Sequence, residues 1–466
     1  MAEAVTDSST IPVSSVDHRP HHDTAFLGHP RGLGYLAFAE AWERFSFYGM
    51  QALLVLYMTR TLLHPGHVER IAGFRPFRAA VETLYGGPLS IQALASAIFG
   101  LYAGCVYLTP ILGGLIADRL LGRTKTIIIG ASSMAAGHFL MAFDATFLVA
   151  LACLVIGSGL FKGNLASQVG ALYAPGDLRR ADAFQIYYLG INAGVIAAPI
   201  VCGYLGEELA WHYGFGAAGV GMLIAIAIYL RGRRYLPTDD MAEGARAPRE
   251  PLKPGEGKTI LLLLALLPVL AISIVGNNQI FNAYLLWAER TIDLRFFGRE
   301  MPTSWLITLD AIISVTFLAG TVAFWRLWAR RFREPGELVK LTIGCAIAAL
   351  AVVILAAASA LAGRGKVGIG WVIAFHTINS IGFANVMPVS LALYARAAPK
   401  ALASTVLGVF YFQFFVGNML VGWLGGLLEK MPGSQFWLLH AALVAAAAVI
   451  FAIAHHFFGK RLEPEG

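Results

Sequence analysis

Charged residues are scarce in this sequence. Asp, Glu, Lys and Arg account for 14% of its 466 residues, whereas hydrophobic residues account for 57%. Because soluble globular domains contain about a quarter charged residues, this composition excludes an ordinary soluble domain. It predicts an integral membrane protein, with the lipid bilayer as its surroundings.

Cysteine is also scarce. The four cysteines all lie in apolar segments, at Cys105, Cys153, Cys202 and Cys345. None has the paired spacing of a metal site or the loop position of a disulfide. We interpret them as small packing residues, and we predict neither a metal site nor a cofactor.

Long apolar runs are what the sequence contains instead. A helix needs about 20 apolar residues to cross the hydrocarbon core of a bilayer. Runs near or above this length recur at about residues 34–62, 90–117, 124–143, 146–173, 184–204, 212–231, 259–287, 303–326, 338–362, 368–394, 402–427 and 435–457. The predicted fold class is therefore an all-α membrane protein with twelve transmembrane helices.

Basic residues crowd the loops that would share one side of the membrane. They follow the second, fourth and eighth runs and fill the segment between the sixth and seventh runs. By the positive-inside rule this side is cytoplasmic, as are both termini. Topology thus accounts for the net charge of +7, and we expect no nucleic-acid partner. We predict a multi-pass protein of the cell inner membrane.

The segment from Arg231 to Lys258 is the only long polar, Pro-rich interruption between the runs. It suggests two six-helix bundles, at residues 33–231 and 259–458, joined by a cytoplasmic linker at 232–258. Residues 1–32 are predicted to be a disordered cytoplasmic tail, because the first 30 have no apolar core and no small-residue cleavage site. Residues 459–466 form a second tail.

Three charged residues lie inside the first apolar run, where charge is expensive. Glu40, Glu43 and Arg44 have the spacing i, i+3, i+4, which places them on one side of a helix. Lys162 in the fourth run completes a set of four charges that formally cancel. Charged side chains at this depth are more often functional than structural, so the set indicates a transporter. A static structural ion cluster is the alternative.

The loop after the second run reads GGLIADRLLGR over residues 113–123. It resembles the signature of the major facilitator superfamily. Its glycines permit close helix approach, and Asp118, Arg119 and Arg123 can pair in one conformation and separate in another, so we predict a gating role for them. The alternative is an ordinary charged cytoplasmic loop.

A narrower resemblance begins in the first run, which reads EAWERFSFYG over residues 40–49. This resembles the E-x-x-E-R-F-x-Y-Y-G motif of the proton-dependent oligopeptide transporters, with Phe47 in place of one tyrosine. Residues 159–164 (GLFKGN) and 187–194 (YYLGINAG) resemble that family's second pattern, and residues 388–399 and 405–422 resemble its tenth and eleventh helices. The similarity covers nearly all of the membrane part.

The resemblance implies that Glu40, Glu43 and Arg44 take part in proton coupling. It also implies that Arg44 and Lys162 hold the peptide carboxylate. The charge balance agrees: an arriving carboxylate draws the two cations towards itself, the glutamates lose their counter-charge, and uptake of one proton restores neutrality.

Further residues complete the predicted pocket of the first half. Asn192 matches a family asparagine that contacts the peptide backbone. Tyr48 and Tyr107 offer hydroxyls at an apolar wall, which suits peptide groups, although packing would be an equally good role for either.

The second half departs from the family pattern. Phe383 occupies the position of a glutamate that receives the peptide amine, and Asp310 is the single acid at depth in the last six runs. Our hypothesis is that Asp310 binds a substrate ammonium or a proton instead. The rival interpretation is a substrate without a free amine, with Asp310 paired to an arginine as a gate. Gln51, in place of a family arginine, weakens the gate interpretation.

Two more positions in the second half carry polar groups. Asn278 and Gln279 are predicted to line the cavity, because neutral polar groups are rarely left facing lipid. His376 lies two helical turns from Phe383 on the same face. It is either a proton relay or a hydrogen-bonded packing histidine.

These observations predict a proton-coupled symporter that imports di- and tripeptides by alternating access. The proton gradient drives it, protons and a small peptide are its partners, and it functions as a monomer. The alternative cargo is a peptide-like natural product or another organic anion that lacks a free amine. An enzyme is not expected, because His138, His376 and His440 lie on different helices without ligand spacing.

Overall fold

The computed structural model describes residues 23–174, 177–237, 252–296, 298–363 and 365–463. Most of the predicted tail and of the predicted linker, residues 1–22 and 238–251, lies outside the described residues. Asp23 accepts a hydrogen bond from the backbone N–H of Arg31 (2.9 Å), where the first helix begins.

The N-terminal half is helical, with bounds that follow the apolar runs. Its helices are α1 (Arg31–Tyr57), α2 (Phe74–Leu84), α3 (Ile91–Ile116), α4 (Arg123–Leu140), α5 (Phe147–Ala171), α6 (Arg179–Ala198) and α7 (Trp211–Gly232). π-Helical turns extend three of them, at Met58–Leu62, Ala117–Leu121, Pro199–Gly203 and Leu205–Leu209.

The C-terminal half follows the same plan with more interruptions. Its helices are α8 (Glu256–Ser273), α9 (Val275–Asn278), α10 (Ala283–Thr291), α11 (Trp305–Trp328), α12 (Glu337–Ala362), α13 (Gly370–Ala397), α14 (Ala403–Phe410), α15 (Phe412–Gly425) and α16 (Gly433–Leu462). A short antiparallel hairpin of β1 (Arg295–Phe296) and β2 (Arg299–Glu300) precedes α11.

Ten helical segments of the described chain are long and apolar enough to cross a membrane, counted with their π-helical and 3₁₀ turns and with α14 and α15 as one segment. Helices α1 and α4 occupy the first and third predicted runs in addition. The prediction of an all-α membrane protein is confirmed. The count of twelve spans stays a prediction, because α1 and α4 are not among the ten segments that are long and apolar enough.

Several elements differ from the sequence prediction. Helix α2 was not predicted, and α16 runs through Leu462, so the tail predicted from residue 459 begins later. The predicted seventh span is broken: α9 and a 3₁₀ turn, Gln279–Phe281, lie between α8 and α10. Asn282 carries the break with φ −128° and ψ −112°. Broken helices at membrane depth are tolerated where neighbouring protein satisfies the freed backbone groups.

Within each half, the long helices pack against one another. In the N-terminal half α1 packs against α6 and α7, and α5 packs against α3 and α4. In the C-terminal half α12 packs against α13 and α16. Small residues permit these contacts, because TM helices associate by close backbone approach rather than by hydrophobic exclusion from lipid.

The two halves meet where α3 packs against α15 and α6 packs against α11. At Gly100 a methyl group would lie 2.5 Å from the carbonyl oxygen of Asn418, so only glycine fits there. We call the end of the molecule at which α1 begins the basic end, and the opposite end the closed end. The contacts of Gly100 lie towards the closed end, since α3 begins and α15 finishes there.

Gly113 offers a direct test of close helix packing. An added Cβ would lie 2.0 Å from the carbonyl oxygen of Gly159 on α5, whereas the neighbouring Gly114 faces open space. We expect Gly113→Ala to destabilise the fold by about 1–3 kcal/mol through overpacking. A thermal unfolding curve in detergent measures the change, and Gly114→Ala is the matched control. Equal melting temperatures for the two variants would contradict the packing.

Candidate functional site

An ion cluster lies inside α1, about 14 Å from its start at the rise of roughly 1.5 Å per residue. The Nε atom of Arg44 is 2.7 Å from Oε1 of Glu40 and 2.8 Å from Oε2 of Glu43. The glutamate side chains are 3% and 0% exposed, and that of Arg44 is 11% exposed. The predicted helical spacing therefore brings these three side chains together, and one guanidinium neutralises part of two carboxylates.

Lys162 on α5 approaches the same cluster from the other side. Its Nζ atom lies 3.7 Å from the centre of the Phe47 ring, a cation–π contact. It also interacts electrostatically with Glu40, Glu43 and Arg44. Among the described residues, no carboxylate oxygen lies within 4.0 Å of the ammonium. Lys162 thus belongs to the cluster but is held by an aromatic face, which leaves its N–H donors available to a ligand.

The carboxylates are not fully satisfied. Oε2 of Glu40 and Oε1 of Glu43 are buried and have no hydrogen-bond partner within the described part of the chain. An unpartnered buried carboxylate oxygen carries a large desolvation cost, which protonation removes. Tyr187 interacts with Glu40, and Tyr102 interacts with Glu43. The cluster therefore has places for a proton without any movement of the backbone.

A cavity of about 600 Å³ lies between the two halves. Its wall includes five of the residues predicted to bind substrate: Tyr48, Tyr107, Asn192, Asp310 and Phe383. They come from five different helices of both halves. The wall combines apolar residues such as Phe383 with amides and hydroxyls, which fits a small amphipathic ligand.

The other three predicted substrate-binding residues, Arg44, Lys162 and Gln279, are not among the residues of this wall. Gln279 lies away from the cavity. It is fully buried, donates to the carbonyl oxygen of Val421 (3.1 Å) and bonds Nε2 of His440 (3.0 Å). The reason is the broken helix: the 3₁₀ turn directs Gln279 towards α15 and α16. The neighbouring Asn277 and Asn278 line the cavity instead.

Asp310 has a partner that the sequence did not reveal. Its Oδ1 atom is 2.8 Å from Nδ1 of His376 on α13, and Nε2 of His376 is 2.7 Å from the hydroxyl of Tyr284 on α10. Three helices of the C-terminal half thus contribute one side chain each to a hydrogen-bonded triad, which we call the C-terminal triad. The rival interpretation was an Asp310–arginine gate; within the part of the chain that the structure describes, no arginine pairs with Asp310 within 4.0 Å.

The closed end is held by an ion network between the halves, which sequence analysis missed. Arg60, on the π-helical turn after α1, lies 3.0 Å from Glu207 of the same half and 3.1 Å from Glu289 of the other half. Glu207 also accepts the backbone N–H groups of Thr303 and Ser304 at 3.1 and 2.9 Å. Free N–H groups at a helix start attract a carboxylate, so Glu207 caps α11 across the interface.

The predicted gating residues lie at the basic end. Asp118 and Arg119 are exposed on the π-helical turn after α3, and Arg123 begins α4. None of the three forms an ion pair within 4.0 Å among the described residues. Their gating role stays a prediction for the conformation in which this end is closed.

Comparison with known proteins supports this arrangement. The family model of PTR2, the POT family, matches residues 124–245 and 253–461. The peptide transporter YePEPT of Yersinia enterocolitica is 29% identical, over 92% of this chain and 94% of the relative. A di-/tripeptide transporter of Lactococcus lactis is 27% identical, over 84% of this chain and 88% of the relative.

Two solved structures share the fold. The crystal structure of a peptide transporter POT in complex with sulfate has a TM-score of 0.77 and 24% identity, and covers 94% of this chain and 96% of its own. That of a POT family transporter in complex with 5-aminolevulinic acid has a TM-score of 0.75 and 21% identity, and covers 93% of this chain and 98% of its own. The predicted major facilitator fold is confirmed. With a family model matched over most of its length, the chain belongs to the POT family.

Proposed function

We propose that this protein is a proton-coupled symporter that imports di- and tripeptides by alternating access. The observation that carries the proposal is the buried ion cluster of Glu40, Glu43, Arg44 and Lys162, whose formal charges cancel in the absence of a ligand. The named relatives transport peptides, and this supports the cargo.

Substrate binding changes the charge balance of the cluster. A peptide carboxylate that is held by Lys162 and Arg44 adds one negative charge to a region that was neutral. The free oxygens of Glu40 and Glu43 then face an excess of negative charge, which raises their proton affinity. Uptake of one proton restores neutrality, so the loaded carrier moves without an uncompensated buried charge.

The C-terminal half receives the other end of the peptide. Asp310 lies in the cavity wall with its side chain 16% exposed. It provides a carboxylate in this half, where Phe383 occupies the position of the family glutamate. We propose that Asp310 binds the peptide ammonium. Phe383 also favours the second candidate cargo, an organic anion without an amine, because an aromatic ring replaces one polar contact there.

The conformation supports alternating access. The Arg60–Glu207–Glu289 network joins the halves at the closed end. The cavity lies between the halves, on the side of this network that faces the basic end. We propose that the basic end is cytoplasmic, that the membrane is the inner membrane, and that one chain is the working unit. In that orientation this conformation faces inward, ready to release its cargo.

Uptake of labelled dialanine by proteoliposomes tests the function. With the inside alkaline, we expect accumulation, because one pH unit supplies about 1.4 kcal/mol per proton, or about a tenfold gradient. Without a pH gradient or voltage, the label should only equilibrate. Accumulation that does not respond to either gradient would refute a symporter. Unlabelled dialanine should compete better than its N-acetyl form; equal competition would favour the amine-free cargo.

A further inference from the structure

The C-terminal triad of Tyr284, His376 and Asp310 lies outside the ion cluster of α1 and α5. His376 is fully buried, and both of its ring nitrogens have oxygen partners, at 2.8 Å and 2.7 Å. A packing histidine needs only neutral partners, and His440 in the same half has such partners, Gln279 and the carbonyl of Phe436. His376 differs because one of its partners is a carboxylate that faces the cavity.

Both protonation states of His376 satisfy every bond in the triad. As a neutral ring it donates from Nδ1 to Asp310 and accepts at Nε2 from the Tyr284 hydroxyl. As an imidazolium it donates from both nitrogens, and the Tyr284 oxygen accepts. The triad can therefore gain or lose one proton when the Tyr284 hydroxyl rotates. Its net charge changes from −1 to zero.

The charged side chains on the helices around the triad have other partners, so the negative charge of the triad faces the cavity. On the packed helices, Tyr284 of α10 and Asp310 of α11 contact His376 directly, and Arg290 of α10 donates to Gln92 of the other half. Glu289, further along α10, pairs with Arg60. Helix α12 places its ions at the basic end, where Glu337 pairs with Arg396 and Lys340 pairs with Glu334. Aromatic rings, Trp287 and Phe375, pack against Tyr284 and complete the shell.

The exposure of the three members defines the route of the proton. His376 and Tyr284 are sealed at 0% exposure, whereas the Asp310 side chain is 16% exposed. A proton enters or leaves the ring through the Asp310 carboxylate, which also faces an incoming ammonium.

On the basis of the proposed function, we infer that a substrate ammonium and a proton on His376 compete for the single negative charge of Asp310. In the empty carrier His376 is neutral; a peptide with a free amine neutralises Asp310 itself, and His376 stays neutral. A substrate without an amine leaves Asp310 charged, and His376 takes up a proton together with the substrate. Such a substrate is therefore carried with one more proton than the matching peptide.

The competition has an unusual electrical signature. A zwitterionic dipeptide carries no net charge, and its N-acetyl form carries −1. One additional proton cancels this difference, so the charge moved per substrate is equal for both molecules. The proton count per substrate differs by one, whereas the current per substrate does not.

The experiment uses proteoliposomes of the full chain with labelled dialanine and labelled N-acetyl-dialanine. An internal pH dye reports protons per substrate, and solid-supported membrane recording reports charge per substrate. We expect one extra proton for the acetylated form at equal charge. In His376→Gln the extra proton is lost, and the charge per acetylated substrate falls by one. Asp310→Asn should abolish the difference as well, and it serves if the histidine variant does not fold.

His440→Gln is the matched control, since this ring has only neutral partners. It should keep the wild-type difference between the two substrates. Equal proton counts for both substrates in the wild type would overturn the inference, while proton-driven uptake of each would still support the symporter. A difference that persists in both His376→Gln and Asp310→Asn would overturn it too. Absence of proton-driven uptake for either substrate would refute the proposed function itself.

Discussion

Glu43→Gln is expected to abolish proton-driven accumulation while exchange of substrate continues. The variant removes one buried negative charge from the ion cluster and keeps the shape of the side chain, which is 0% exposed. Glu40 still pairs with Arg44 at 2.7 Å, and Lys162 is left without compensation. A substrate carboxylate then restores neutrality by itself, so no proton is needed.

The energy involved is large enough to make the result clear. Removing one partner from a buried ion pair costs about 3–5 kcal/mol, which the arriving carboxylate recovers in the variant. Binding should therefore tighten, and the accumulation ratio under a pH gradient should fall to near one. Uptake under a pH gradient and counterflow between equal pH values measure the two properties separately.

Glu334→Gln is the matched control, because Glu334 has a 45% exposed side chain outside the cavity and pairs with Lys340. It should accumulate dipeptide as the wild type does. If Glu43→Gln still accumulates substrate against its gradient, the Glu43 carboxylate is not the proton site. If exchange is lost as well, the cluster is structural, and the alternative of a static ion cluster is correct.

The ion cluster was predictable because spacing along the sequence and charge balance are enough to identify its members. The spacing of Glu40, Glu43 and Arg44 fixes their common face on any helix. The need to neutralise charge at membrane depth indicates Lys162 as their counterpart. What the sequence could not give is the contact of Lys162 with the Phe47 ring, since it depends on how α5 crosses α1.

Contacts between side chains that are far apart in the chain could not be predicted from the sequence. Asp310 and His376 were each identified as unusual, but they lie 66 positions apart on different helices. Only the packing of α11 against α13 makes them partners. The closed-end network depends in the same way on the junction between the halves.

Gln279 shows the limit of the rule that neutral polar groups rarely face lipid, because such a group can lie between helices as well as in the cavity wall. A continuous seventh helix would keep Asn278 and Gln279 near one surface. The break at the 3₁₀ turn directs Gln279 to the carbonyl of Val421 on α15. The nearby Asn282, where the backbone is not helical, is the local sequence signal for the break, because asparagine favours turns over helix interiors.

Glu207→Gln is expected to shift the protein away from the present conformation. The favoured conformation is then one in which the end now held by Arg60, Glu207 and Glu289 is open. In the present conformation the Glu207 side chain is 4% exposed and accepts from Arg60, Thr303 and Ser304. All these groups are hydrated once the end opens. The substitution therefore removes charge-assisted hydrogen bonds from the present conformation only. The equilibrium between the two conformations shifts by the free energy that these bonds contribute to one conformation and not to the other.

The shift can be estimated from the bonds that are lost. A hydrogen bond to a charged group contributes about 1.5–3 kcal/mol, and losing two such contributions changes the equilibrium constant by roughly 10²–10⁴. Glu289 keeps Arg60 at 3.1 Å and moderates the change. A protein trapped open at this end should bind substrate but release it poorly on the other side, so uptake rate should fall.

Distances between spin labels at His212 and Lys366, two exposed positions at the closed end of opposite halves, measure the opening in a background without the four native cysteines. We expect a longer distance population in Glu207→Gln. Glu208→Gln is the matched control, because the neighbouring Glu208 is exposed and should leave the distances unchanged. Unchanged distances in Glu207→Gln would show that the helix contacts of α3 with α15, rather than the ion network, hold this end closed.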